Sequence, residues 1–268
     1  MEKRETKRDL VQSVIRAFNL LELISKEQPV HLSELARKAG LKKTTVARLT
    51  GTLVVTGMID QDPQDKTFAL TIRAVELGSR VLNKLNVRRL GRPLVENFVS
   101  KYGVSVLVGV LDRNEVIYID KLTAHEVFRI SMTVGERVPA YCSASGKAML
   151  AFLDPVARGD ILTKVPLARI TNHTITDIAD LEENLAKTRK CGYALDIEER
   201  IDGVVSVGAP IFGPSKKVLA AISVPRMKAA ISDTELKNLG SKVADLAQKI
   251  SRLTGWGDES TYPIPEGK

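Results

Sequence analysis

Four residues within six positions, Lys43, Thr44, Thr45 and Arg48, are of the types that meet nucleic acid: cations for phosphate oxygens and guanine edges, hydroxyls for phosphate or bases. Val46, Leu49 and Leu53 recur at helical spacing beside them and define an inward face. The four polar residues therefore fall on the remaining side, in the N-terminal half of a helix, where a recognition helix touches bases. The bland alternative is a solvated helix face. A second set, Ser145-Gly146-Lys147, stands at a helix start, where free N–H groups and the positive end of the helix dipole suit an anion.

Other chemistries find no foothold. Gly146-Lys147 belongs to no phosphate loop, because that motif needs Gly at 141 and Ser or Thr at 148, where Tyr141 and Ala148 stand. Glu198 and Glu199 are adjacent, so along a strand they point to opposite faces and form no acid–base pair; a solvated or capping role is expected. Cys142 has no nucleophile signature, and His31, His125 and His173 fall on three separate segments, so a packed small residue is expected there. Cys142 and Cys191 have no CxxC spacing or clustered histidines, which argues against a zinc site and a disulfide scaffold. No catalytic residue, metal or cofactor is expected.

These residues must be positioned by a chain of 268 residues, long enough for two domains at about 150 residues each. The 44% hydrophobic and 27% charged fractions are those of a globular protein. The net charge of +8 favours a polyanionic partner. Met1 to Asn86 hold 15 Lys/Arg against 10 Asp/Glu, so most of that excess lies at the front. No apolar stretch approaches the roughly 20 residues that span a bilayer, and the charged start lacks a secretory signal, so a cytoplasmic protein without membrane partners is expected.

After a polar arm, Val11, Val14, Ile15, Phe18, Leu21 and Ile24 predict one face of a helix ending before Gln28-Pro29. A second helix is expected from Leu32 to Ala39, with His31 and Glu34 at capping-box spacing and Gly40 as its stop; a third runs from Lys43 to Thr56. Two short helices about a Gly-containing turn are the helix-turn-helix signature. Met58-Ile59-Asp60 and Thr67-Phe68-Ala69-Leu70 flank the turn-rich 61–66 and read as a wing. An amphipathic linker helix, Thr71 to Asn83, and a helix from Arg88 to Tyr102 lead into a mixed domain. Its strands are expected at Val104–Leu111, Val116–Leu122, Val127–Thr133, Tyr193–Asp196, Val204–Phe212 and Val218–Val224, and its helices at Ser145–Leu153, Asp180–Lys190 and Thr234–Leu253.

The run from Leu32 to Leu49 resembles the DNA-binding module of the IclR family of bacterial regulators. Val138-Pro139-Ala140-Tyr141-Cys142-Ser143-Ala144-Ser145-Gly146-Lys147-Ala148-Met149-Leu150-Ala151 is similar to that family's effector-domain motif. Gly192 to Glu199, Gly203 to Phe212 and Ala220 to Val224 continue the likeness over about residues 10–255. The resemblance implies an α+β two-domain fold: an N-terminal winged helix-turn-helix, a helical linker and a C-terminal GAF-like mixed α/β domain that binds a small effector. The boundaries expected are a polar arm at 1–8, the DNA-binding domain at 9–70, the linker at 71–87, the effector domain at 88–256 and a tail at 257–268.

By the same resemblance the effector site would take polar contacts from the Ala144 and Ser145 backbone, Asp196, Ser206 and Ser223, with Ile130 and Val138 as its apolar wall. Ser206 stands where many members carry Cys, and Pro225 where a second Ser is common, so the effector set is expected to differ. The partners expected are double-stranded operator DNA, an organic-acid effector and further copies of the chain in a homodimer or homotetramer. Two alternatives stay open: an enzyme with a DNA-binding appendage, and a regulator that needs no effector.

Overall fold

The computed structural model describes residues 10–82, 85–124, 132–164, 166–214 and 216–257. The chain divides into two compact units, Met1–Lys84 and Leu85–Lys268. The polar arm, most of the tail, Ile130 and most of the strand expected at Val127–Thr133 lie outside the described residues.

The first unit runs α1 (Gln12–Glu27), β1 (Val30–His31), α2 (Leu32–Ala39), α3 (Lys43–Val55), β2 (Ile59–Gln61), β3 (Thr67–Leu70) and α4 (Ile72–Leu82). Leu20, Ile24, Val30, Leu35, Val46, Leu53, Ile59 and Phe68 form its core, so every element of the unit except α4 contributes at least one side chain to fixing α3. Gly40 closes α2 at φ +63°, a left-handed conformation that costs glycine little, and its amide bonds back to Ala36 and Arg37. The strands pair in the order β1-β3-β2, all antiparallel, giving the wing.

Three expectations change here. The His31–Glu34 capping box does not form: His31 pairs with Thr67 in the sheet, and Glu34 bonds to Lys38 and Arg37 instead. The core face of α3 is Val46, Thr50 and Leu53, with Leu49 half-buried, because the Thr50 hydroxyl satisfies itself on the Val46 carbonyl at 3.0 Å and can be buried. On α1, only Leu20 and Ile24 of the apolar residues are fully buried; Val11, Val14, Ile15 and Phe18 are exposed on a second stripe.

The second unit comprises α5 (Asn86–Tyr102), β4 (Val106–Asp112), β5 (Glu115–Leu122), β6 (Arg137–Pro139), α6 (Ala144–Leu150), α7 (Pro155–Thr163), α8 (Ile178–Cys191), β7 (Ala194–Ile197), β8 (Val204–Phe212), β9 (Val218–Met227) and α9 (Asp233–Leu253). The six strands form one antiparallel sheet in the order β6-β5-β4-β9-β8-β7. All nine residues of β8 are buried, since α9 and α6 both pack on it. β9 extends beyond the expected Val224: Pro225 pairs with Ser206 on β8, and β4 pairs only with residues 221–223, so the missing N–H of Pro225 breaks no ladder on that side. β6 and α7 were not expected. β6 has three residues, too few for a periodic signal, and α7 is announced only by Asp154-Pro155, whose carboxylate caps the Val156 and Ala157 amides.

Candidate DNA interface and effector cavity

On α3, Lys43, Thr44 and Arg48 are exposed and Thr45 is half-buried, and none has a side-chain partner among the described residues. Lys42 precedes the helix without a side-chain cap; the Thr45 and Val46 amides bond to its carbonyl, which leaves those of Lys43 and Thr44 open. An uncapped, basic helix start offers N–H donors and positive potential together, the requirements of a phosphate. The wing is different. Asp62 accepts from the Gln64 and Asp65 amides at 2.7 and 2.9 Å, which hold its carboxyl below the usual range, and Asp60 and Asp65 stand near it. Three carboxylates against the one cation Lys66 make the wing loop acidic, so the positive charge of this unit is denser at the start of α3. Thr45 and Arg48 also border a groove of about 550 Å³ shared with Val14 and Ala17 of α1.

The second site grows from strand register. On β8, Ser206 pairs with Asp196 of β7 and Pro225 of β9; two residues on, Gly208 pairs with Ala194 and Ser223, and Ser223 with Leu107 of β4. The two-residue strand period puts these rows on one face. The start of α6 rests on them. A Cβ on Gly208 would lie 2.5 Å from the Ala144 carbonyl carbon, and one on Gly146 2.2 Å from the Ala140 carbonyl oxygen, so both glycines serve close backbone approach. The Ser143 hydroxyl accepts from the Gly146 amide at 3.2 Å, while the Ala144 and Ser145 amides have no acceptor among the described residues.

Tyr118, Ser143, Ala144, Asp196, Ser206 and Ser223 line the resulting cavity, with Leu107, Met132, Val204 and Pro225 as apolar wall and Arg200 and Ile201 completing it. The free space is about 10 Å³, room for one water molecule. The Ser145 hydroxyl is buried beside it, next to the Tyr118 phenol, with no bond of good geometry among the described residues. Burial pushes the neighbouring Tyr118 phenol up. A bulge between β4 and β5, opposite Val108 and Gly109, lets Tyr118 face α6 while Asp120, two residues on, meets Arg88 and Arg92 of α5 at 3.5 and 3.4 Å.

Asp196 is 5% exposed and accepts from the Glu199 amide at 2.9 Å. Burial pushes its carboxyl up to about 7, against the pull of Lys147 and with a further push from Glu199. Lys147 is fully buried and ion-paired with Glu199. This corrects two expectations. Glu199 is a buried counterion rather than a solvated carboxylate, and the Lys147 charge, read from sequence as part of an anion site, is neutralised by it. Glu198 has the capping role: at φ +57° its carboxylate accepts from the Gly203 amide at 2.8 Å.

Of the residues expected to bind an effector, Ala144, Asp196, Ser206 and Ser223 line the cavity, and Ser145 adjoins it. Val138 pairs with Val116 in the hydrophobic core and is absent from the lining. Sequence reasoning missed Arg200, whose guanidinium donates to Glu136 at 2.9 Å. Those partners are 64 residues apart, and no local pattern joins them. Cys142 is buried with its thiol pushed up to about 12 by burial, the state of a packed residue rather than a nucleophile. Among the described residues no cluster of metal-ligating side chains occurs, and no helix is long and apolar enough to cross a membrane.

Comparison with known proteins matches residues 79–252 to the model for the bacterial transcriptional regulator IclR C-terminal domain, and residues 13–63 to the IclR helix-turn-helix domain. The transcriptional repressor IclR of Escherichia coli is 32% identical over 248 residues, covering 91% of this chain and 90% of its own. The crystal structure of the Thermotoga maritima IclR covers 92% of this chain and 100% of its own, at 28% identity and a TM-score of 0.76. An IclR homolog from Microbacterium hydrocarbonoxydans, crystallised with 4-hydroxybenzoate, shares the fold at a TM-score of 0.77 and 24% identity, covering 90% of this chain and 99% of its own.

Proposed function

The chain belongs to the IclR family and is a DNA-binding transcriptional regulator; from that premise we propose that an organic acid in the cavity beside α6 controls how α3 binds operator DNA. The observation that carries the reading is the cavity itself: a small space where the Ala144 and Ser145 amides lack acceptors among the described residues and Asp196, Ser206 and Ser223 converge. Unpaired buried donors are costly, and a ligand oxygen satisfies them. The same fold holds 4-hydroxybenzoate in the Microbacterium hydrocarbonoxydans homolog.

In this reading Lys43, Thr44, Thr45 and Arg48 contact the operator, and the protein works in the cytoplasm as a homodimer or homotetramer. A DNA-binding domain at 9–70, a linker at 71–87 and an effector domain at 88–256 divide the labour. The alternative of a metabolite-transforming enzyme is set aside, because both matched domains are those of transcriptional regulators. A thermal-shift screen of aromatic, sugar and keto acids, followed by operator binding with and without the hit, tests the proposal. A hit that raises the melting temperature and alters operator affinity supports it; no response to any acid favours a regulator that needs no effector.

A further inference from the structure

Among the described residues, Arg200 is the only cation lining the cavity. One terminal nitrogen donates to Glu136, and the side chains of this pair are 17% and 27% exposed, between core and solvent. A guanidinium has five donors in a planar fork; beyond the Glu136 bond, no further acceptor for Arg200 occurs among the described residues. Its charge reaches inward, drawing the pKa of both Tyr118 and Asp196 down against the effect of burial. The Lys147 charge also acts on Asp196, but it is held in an ion pair by Glu199 and does not line the cavity. Glu136 is anchored, since its second carboxylate oxygen accepts from the Thr133 amide at 3.0 Å. The cavity has room for one water, so any larger ligand must displace lining side chains, and the long unbranched ones are Arg200 and Met132.

We propose that Arg200 is the specificity-determining residue of the cavity: its guanidinium leaves Glu136 to take the carboxylate of the ligand in a two-bond fork, while the open Ala144 and Ser145 amides meet a second ligand oxygen. The ligand class is a small monocarboxylate with one further hydrogen-bonding group. Glu136 acts as a competitor, holding the arginine while the cavity is closed. This inference rests on reading the cavity as the effector site, and the two fail differently.

The test titrates pyruvate, lactate, benzoate and 4-hydroxybenzoate, each beside its carboxamide, into the full chain by calorimetry, using wild type, Arg200→Gln, Arg200→Lys and Glu136→Gln. At least one acid binds wild type about tenfold or more tighter than its amide, and Arg200→Gln brings that ratio near one, because a charge-assisted fork is lost. Arg200→Lys falls between, keeping charge without the fork, and Glu136→Gln binds the acid tighter than wild type. An Arg200→Gln protein that melts like wild type and keeps the acid preference overturns the role of Arg200 and leaves the effector site standing. Should Arg200→Gln not fold, an unchanged acid affinity in Glu136→Gln overturns it equally. If no acid or amide binds wild type at millimolar concentration, the effector reading falls and this inference with it.

Discussion

Asp196 carries an energetic signature that can be measured without knowing any ligand. Its carboxyl titrates near 7 in the folded protein against an ordinary value of 3.8, so between those values the folded state holds a proton that the unfolded state has lost. Stability from this residue therefore falls as pH rises from about 4 to about 7 and is level above, an effect of at most about 4 kcal/mol at 1.4 kcal/mol per unit. Asp196→Asn keeps an acceptor for the Glu199 amide and removes the titration. In urea melts across that window, the variant should gain stability relative to wild type with rising pH; parallel profiles would remove the buried-acid account. On α3, Arg48→Ala should weaken operator binding by about 1–3 kcal/mol with fold and effector affinity unchanged. An unaltered affinity in a fluorescence-anisotropy titration at fixed salt would displace the recognition face. At this scale, the residues that sequence could reach were those in local motifs. Asp196, Ser206 and Ser223 entered through resemblance, whereas Arg200–Glu136 and Lys147–Glu199, 64 and 52 residues apart, are made by the fold.

Two glycines separate the reasons an element needs one. Gly208 has ordinary dihedrals but no room, with the Ala144–Ser145 peptide where a Cβ would go; Gly40 has room but a φ of +63°. Gly208→Ala should therefore cost about 1–3 kcal/mol, as overpacking does, and lower effector affinity by displacing the start of α6. Gly40→Ala should cost about 1–2 kcal/mol from the left-handed backbone and leave effector affinity intact. Denaturant melts paired with ligand titration distinguish them; a Gly208→Ala protein with wild-type ligand affinity would contradict the packing of α6 on β8. The elements legible in sequence include those whose period outlasts a turn, such as α2, α3, α5, α8, β8 and α9, and the wing, which its turn-rich loop marks out. β1 and β6 have two and three residues and exist only through their partners. The bulge that separates Tyr118 from Asp120 is likewise invisible, because the alternation it breaks is visible only in the ladder. On α1 the apolar pattern revealed a helix but misassigned its buried face, since a second stripe is apolar for another reason.

That second stripe belongs to the whole molecule. Leu10, Val11, Val14, Ile15 and Phe18 on and before α1, and Ile72, Val75, Leu77 and Val81 on α4, are all exposed in the single chain. Apolar surface on this scale marks an interaction site, and two DNA half-sites require two recognition helices. The protein should sediment as a dimer or tetramer at micromolar concentration without DNA, and a monomer in analytical ultracentrifugation would take these faces out of the argument. The central claim is that cavity and recognition helix are coupled, and coupling is reciprocal: an acid that changes operator affinity by some factor must have its own affinity changed by operator in the same factor. The most direct test is calorimetric titration of the tightest-binding acid into the protein alone and into its operator complex. The account predicts two different dissociation constants, their ratio equal to the shift the acid causes in operator binding. Equal constants would contradict it, leaving a DNA-binding protein whose cavity does not control it.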